Sequence, residues 1–198
     1  MNNIILASGS PRRAELLTQV GISYNMIVSD YHEKKPAVGD DIITWAKYTA
    51  SNKAKTVFDK TGGVVLGADT VVILPNNNGE YYMGGRKVSL LGKPENENDA
   101  VNMLRRLSGK EHDVITAYAI ITENKTVVKA VTTKVFFYEL NDEDIINYVN
   151  TGEPMDKAGS YGIQAKGAVF VKSINGDYYN VVGLPISSVV ADLKKLRI

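Results

Sequence analysis

Two adjacent arginines at the start of a helix pose an electrostatic problem. The stretch ASGSPRRAELL, residues 7–17, leaves a short apolar run for Ser8, Gly9, Ser10 and Pro11, then sets Arg12 and Arg13 before Leu16 and Leu17. Ser10 suits a helix cap and Pro11 a first helical position, so both arginines fall in the first turn. Cations there oppose the helix macrodipole. A phosphate resolves the conflict, because the free N–H groups of that turn, the hydroxyls of Ser8 and Ser10 and two guanidinium forks would converge on it. The stretch is equally compatible with an ordinary strand-to-helix corner carrying solvated arginines.

Three further stretches have chemical potential. In VVLGADTVV, residues 64–72, Asp69 and Thr70 interrupt an apolar run. This predicts a carboxylate at a strand end, where α/β folds place their sites. Asp69 is then either a turn aspartate or a ligand for Mg²⁺ and a base for water, the roles phosphoryl chemistry requires. Lys93 stands between Gly92 and Pro94, on stiff backbone from which it can reach a phosphate or simply meet solvent. The stretch TGEPMDKAGSYGIQAKGAVFV, residues 151–171, combines many glycines with Asp156, Lys157, Gln164 and Lys166. It predicts a tight loop whose backbone approaches something closely.

The elements that must position these groups alternate. Ile4 to Ala7 reads as a strand leading into the helix after Ser10, Tyr24 to Val28 as a strand, and Ile42 to Val57 as a helix with Ile43, Ala46, Ala50, Ala54 and Val57 near one face. Val64 to Ala68 and Val71 to Leu74 read as two strands, completing a βαβαβ start. Ala100, Val101, Leu104 and Leu107 form a helical stripe closed by Gly109, and Val114 to Thr122 and Thr126 to Leu140 form a hairpin across Glu123-Asn124-Lys125. A short helix at Asp142 to Val149, a strand at Ala168 to Ser173 and a helix at Ile186 to Leu196 close the pattern. The expected fold class is α/β: a mixed twisted sheet flanked by helices, with residues 1–198 forming a single domain of two lobes around a cleft.

Composition narrows the chemistry. The 198 residues are 44% apolar, enough for an ordinary core, and the formal net charge of +1 argues against bulk binding to nucleic acid or an anionic membrane. No apolar run approaches the ~18 residues of a membrane span, and the N-terminal residues lack the pattern of an export signal, so the expected location is cytoplasmic. With no Cys and only His32 and His112, thiolate catalysis and zinc centres built on Cys or several His are excluded. A metal here would be a hard ion on oxygen ligands.

Taken jointly, the SxSPRR run at Ser8–Arg13, GADTVV at 67–72, GKP at 92–94, GEPMDKAGSYGIQ at 152–164 and GLP at 183–185 resemble the Maf family of nucleotide pyrophosphatases, in order, from Ile4 to Pro185. The resemblance implies metal-dependent cleavage of a nucleoside triphosphate to the monophosphate and pyrophosphate, on a two-lobed α/β fold similar in shape to inosine triphosphate pyrophosphatases. It places the phosphate loop on Ser8, Arg12 and Arg13, the phosphate lysines on Lys53 and Lys93, and the catalytic acidic residue on Asp69. It also implies a Mg²⁺ or Mn²⁺ ion between Asp69 and Glu33, and a homodimer, for which the β-rich stretch 114–138 offers strands that need covering. Substrate-selecting positions fall on Arg12, Thr70 and Gln164. Thr70 resembles the branch acting on dTTP and UTP, whereas a branch acting on 7-methyl-GTP carries Gln there. The family's older description as septum-formation inhibitors implies an alternative, a nucleotide-binding regulator without turnover. Two departures stand out. The segment Asn76 to Val88 is long for the family and predicts a reshaped hairpin beside the cleft, and Ala165 follows the glutamine where Gly is usual, predicting a slightly narrower pocket.

Overall fold

The structure, a computed structural model, describes residues 3–198. One eight-stranded mixed sheet organises it. Strands β1 (Ile4–Leu6), β2 (Tyr24–Met26), β3 (Val65–Pro75), β6 (Glu111–Ile121), β7 (Thr126–Phe137) and β8 (Val171–Asn175) lie in the order β2-β1-β3-β6-β7-β8. The hairpin of β4 (Tyr81–Met83) and β5 (Arg86–Leu91) joins the free side of β3. Among the described residues six helices flank the sheet: α1 (Pro11–Gln19), α2 (Ile42–Thr61), α3 (Glu97–Leu107), α4 (Asp142–Val149), α5 (Tyr178–Val182) and α6 (Ile186–Lys195). The α/β expectation holds. Among the described residues no helix is long and apolar enough to cross a membrane.

The alternation of side chains along β3 decides which helices it meets. Val65, Val71 and Ile73 pack, with alternate residues of β6, against α2 through Ile42, Ala46, Ala50, Ala54 and Val57. Leu66 and Ala68 face the other way, onto α1 and α6, while Val72 and Leu74 on that same face meet α3 and α4. Two separate cores thus share one face of the sheet, and Thr70 stands between them. This is the physical basis of the two lobes and the cleft.

One expectation about β3 is corrected. Residues 65–75 form a single strand, so Asp69 lies inside it rather than at a strand end. Gly67 is no turn signal: a Cβ there would come within 2.6 Å of the Ala50 carbonyl oxygen and 2.7 Å of the Ala54 nitrogen. The glycine admits α2 onto the strand. What changes at Asp69 is the strand's neighbour. β1 pairs in parallel with Val65 and Leu66, β5 pairs antiparallel with Val72 to Pro75, and neither covers the residues between. The site-forming break of an α/β sheet is therefore a gap in the sheet beside a continuous strand.

Other boundaries shift modestly. The strand expected at Tyr24 to Val28 ends at Met26. Ala168 belongs to a 3₁₀ turn, and the last strand begins at Val171. The segment Asn76 to Val88, expected to reshape a hairpin, supplies β4 and the first half of β5, turning at Gly84 and Gly85. The outer edge of β7 from 126 to 133 has no strand partner among the described residues, because β8 meets only Lys134 to Phe137.

A buried histidine gives the core a pH dependence. His112 is fully buried; its Nε2 meets Tyr161 Oη at 2.8 Å, its Nδ1 has no partner among the described residues, and the ring lies edge-on to Phe137 and Tyr161. Burial lowers its pKa from 6.5 to about 3. The unfolded chain therefore binds this proton first as pH falls. The stabilisation is complete above 6.5 and is lost progressively towards about 3. Urea unfolding at successive pH values should show a loss of about 1.4 kcal/mol per pH unit below ~6 from this residue, and His112→Phe should remove that part of the slope.

Candidate functional site

The gap beside β3 opens into a cavity of about 800 Å³, lined by Arg12, Arg13, Glu33, Lys53, Asp69, Thr70, Lys93 and Gln164 among others. The sequence-derived residues thus share one space, with Ser8 just behind it on Arg13.

Lys53 stands at the centre. Its ammonium donates to Asp69 Oδ1 at 2.7 Å and lies 2.7 Å from Glu33 Oε1. Asp69 is supplied by β3 and Lys53 by α2, which Gly67 lets approach. Glu33 comes from the loop before α2, and Trp45 holds that loop by donating its indole N–H to the Lys34 carbonyl at 3.1 Å. Trp45 and Lys53 lie eight residues apart, just over two helical turns, and so project to one side of α2. The helix itself starts where Asp41 Oδ1 accepts from the Thr44 N–H.

Asp69 is buried, and its Oδ2 has no hydrogen-bond partner among the described residues. Burial pushes its carboxyl above the ordinary carboxylate range, against the opposing pull of Lys53; nearby Glu33 pushes the same way as burial. An orphaned, buried carboxylate oxygen can serve as a proton acceptor or a cation ligand, and the raised pKa suits the first of these roles. The donor set also fits a hard divalent cation: two carboxylates converge on one positive charge, and oxygen ligands are those such ions take. Among the described residues no group of three His, Cys, Asp or Glu could hold a metal by itself, so water or phosphate oxygens would complete the coordination.

The arginines divide their work. Pro11 occupies the first turn of α1 as expected, but the Ser10 hydroxyl makes no capping bond, and the first turn holds no acidic residue. Arg13 turns inward and is half-buried: Nε donates to the Gly183 carbonyl at 2.9 Å, Nη1 to Ser8 Oγ at 3.0 Å and Nη2 to Thr70 Oγ1 at 3.1 Å. Burial lowers its pKa, with Asp69 pulling it back up. Three of the five N–H donors of a guanidinium are thus engaged with neutral oxygens, leaving its charge available to an anion. Thr70 also meets Thr116 Oγ1 at 2.9 Å, so its hydroxyl is tied to Arg13 and β6. Arg12 stays at the cavity mouth and donates to Asp156 Oδ2 at 2.9 Å. Lys93 is exposed on the rim, and Gln164 is exposed on the facing loop.

The glycine-rich loop is ordered into three 3₁₀ turns, Glu153–Asp156, Ala158–Ser160 and Lys166–Phe170. Its close approach is to the sheet: at Gly159, with φ 69°, a Cβ would lie 3.0 Å from the side chain of Val72. That contact brings Asp156, Lys157, Ala158, Tyr161 and Gln164 to the cavity wall. Asp156, Lys157 and Tyr161 lie in the motif at 152–164 that carries the family resemblance, which assigned none of them a role in the site. Trp45 carried no functional signal beyond its spacing from Lys53.

Fold and site together define a class: an α/β protein whose interrupted sheet exposes a carboxylate–ammonium centre beside half-buried and exposed cations suited to phosphate. The chain matches the family described as Maf-like protein over residues 3–196, and it belongs to that family. It is 47% identical over 201 residues to a dTTP/UTP pyrophosphatase of Bacillus cereus (strain AH820), covering 100% of this chain and 97% of that protein. The same identity and coverage relate it to a dTTP/UTP pyrophosphatase of Bacillus anthracis. Among solved structures, a HAM1 protein from Coxiella burnetii aligns with TM-score 0.51 at 16% identity, covering 98% of this chain and 100% of that one. The Staphylococcus aureus Ham1 protein aligns with TM-score 0.50 at 13% identity, covering 96% and 100%. At those identities the likeness is one of fold.

Proposed function

We propose that this protein hydrolyses dTTP and UTP to the monophosphate and pyrophosphate by attack of water at the α-phosphorus. The observation that carries the reading is the Asp69–Lys53–Glu33 centre, with Asp69 Oδ2 unpartnered, in the same cavity as Arg12, Arg13 and Lys93. The 47% identity to dTTP/UTP pyrophosphatases over the whole chain supports the choice of substrate.

In this reading Asp69 accepts the proton of the attacking water, a role its raised pKa suits. Ser8, Arg12, Arg13, Lys53 and Lys93 bind the phosphates and neutralise the charge that grows on the leaving pyrophosphate. Asp69 and Glu33 would hold a divalent cation, Mg²⁺ or Mn²⁺, which supplies further charge neutralisation when bound. Thr70 orients Arg13. A homodimer belongs to the same reading and draws on the open outer edge of β7.

Gln164 reads the base. Uracil and thymine present an N3–H donor between two carbonyls, and one amide can meet N3–H and a neighbouring carbonyl together. Cytosine, with a bare N3 and an amino group, leaves such a site unpaired. The expected result of product analysis is monophosphate and pyrophosphate from dTTP and UTP, with kcat/KM about 100-fold above that for CTP. Gln164→Ala should erode this preference about tenfold without altering metal dependence. Orthophosphate as the primary product overturns the chemistry. CTP or 7-methyl-GTP as the best substrate overturns only the assignment of the base.

A further inference from the structure

The cavity holds a second ion cluster in which the proposed chemistry gives a role to Arg12 alone, and none to Asp156 or Lys157. Asp156 is its link: Oδ2 accepts from Arg12 Nη1 at 2.9 Å and Oδ1 from Lys157 Nζ at 2.7 Å. Lys157 also donates to the Glu153 carbonyl at 2.6 Å. These groups come from opposite sides of the cleft. Arg12 rides on α1, which packs with α6, whereas Asp156 ends one of the 3₁₀ turns that pack with α3 and α4, and Lys157 links it to the next.

Exposure is distributed unevenly within the cluster. The Arg12 and Lys157 side chains are 25% and 13% exposed, the Asp156 side chain 57%. The two cations are held against the cavity wall, while the anion that joins them lies towards solvent on a loop. Partial burial would raise the Asp156 pKa, but hydrogen bonds from Lys157 and Arg12 hold it at about 2, so it is an anion throughout the working pH range.

We propose that Asp156 is an internal stand-in for substrate phosphate, neutralising Arg12 and Lys157 across the cleft until a triphosphate displaces it and takes over both cations. The inference rests on the triphosphate reading above and extends it: Lys157 becomes a phosphate ligand and Asp156 a residue that sets phosphate affinity. A carboxylate oxygen and a phosphoryl oxygen offer guanidinium and ammonium the same acceptor, so exchange needs no rebuilding of the site. Ion pairs this open to solvent are weak, and a multiply charged polyphosphate outcompetes a single carboxylate. The return of Asp156 to the same cations then favours departure of pyrophosphate.

The test is calorimetric titration of the full chain with inorganic tripolyphosphate and with pyrophosphate, comparing wild type, D156N, D156S and D156E. Removing the competing charge should tighten tripolyphosphate binding by D156N and D156S about three- to tenfold, and pyrophosphate should become a correspondingly stronger inhibitor of turnover. D156E keeps the charge and should stay near wild type. In a K157M background, which should itself bind tripolyphosphate more weakly, the gain from D156N should shrink. Equal or weaker binding by both neutral variants, with wild type binding normally, overturns the role of Asp156 and leaves the triphosphate reading intact. Failure of wild type to bind tripolyphosphate or any nucleoside triphosphate overturns that reading and this proposal with it.

Discussion

Asp69→Asn should lower kcat for dTTP by about 10³-fold or more, while nucleotide binding changes by less than about tenfold. Asn keeps the size of the side chain but cannot accept a proton or present two anionic oxygens, and Asp69 Oδ2 is a buried cavity atom with no partner among the described residues. The phosphate cations are left in place: Arg13 remains anchored by Gly183, Ser8 and Thr70, and Lys53 keeps Glu33. Chromatographic product analysis read together with calorimetric binding separates the two effects. A variant retaining a tenth or more of wild-type turnover would remove Asp69 from the chemistry. A wild type that binds dTTP yet turns nothing over with any divalent cation would instead favour a nucleotide-binding regulator.

The second large effect lies in packing. Gly67→Val should destabilise the protein by about 3 kcal/mol or more, roughly 10 °C in thermal midpoint for a chain of this size. Its Cβ would meet backbone atoms of Ala50 and Ala54 at 2.6 and 2.7 Å, and neither can turn away as a flexible side chain could. Relief requires α2 to lift off β3. Lys53 lies on the segment of α2 beside these contacts, so the lift draws its ammonium from Asp69. Loss of turnover should therefore accompany loss of stability even in the fraction that remains folded. Calorimetric melting and activity measured well below the midpoint test both parts, and near-wild-type values of each would show that the contact between helix and strand is softer than its distances imply.

Much of this architecture is present in local patterns. The apolar face of Ile42 to Val57 marks α2, the stripe from Ala100 to Leu107 marks α3, and the β-rich runs either side of Glu123 give the β6–β7 hairpin, because amphipathic period and turn chemistry are short-range properties. The weaker strand β4 and the five-residue α5 escaped such patterns; β4 is held by pairing with β5, and α5 by the buried Asn180, which bonds backbone groups of β6. The GADT stretch misled for a related reason. A glycine before an aspartate has the look of a turn, but here the glycine answers to a helix distant in sequence.

What the sequence by itself determined is the family and the inventory of the candidate site. Ser8, Arg12, Arg13, Asp69, Lys93 and Gln164 sit in motifs whose residue types match phosphate chemistry, and the order of those motifs identifies the relatives. Tertiary structure alone decided how the members pair. It joined Glu33, Lys53 and Asp69 on one ammonium, turned Arg13 inward while leaving Arg12 at the mouth, tied Thr70 to Arg13, and set Asp156 between two cations from opposite sides of the cleft. The reason is physical. Motif chemistry is carried by neighbours along the chain, whereas charge pairing depends on distances across a gap in the sheet, and those distances exist only once β1, β5 and α2 have all packed on β3.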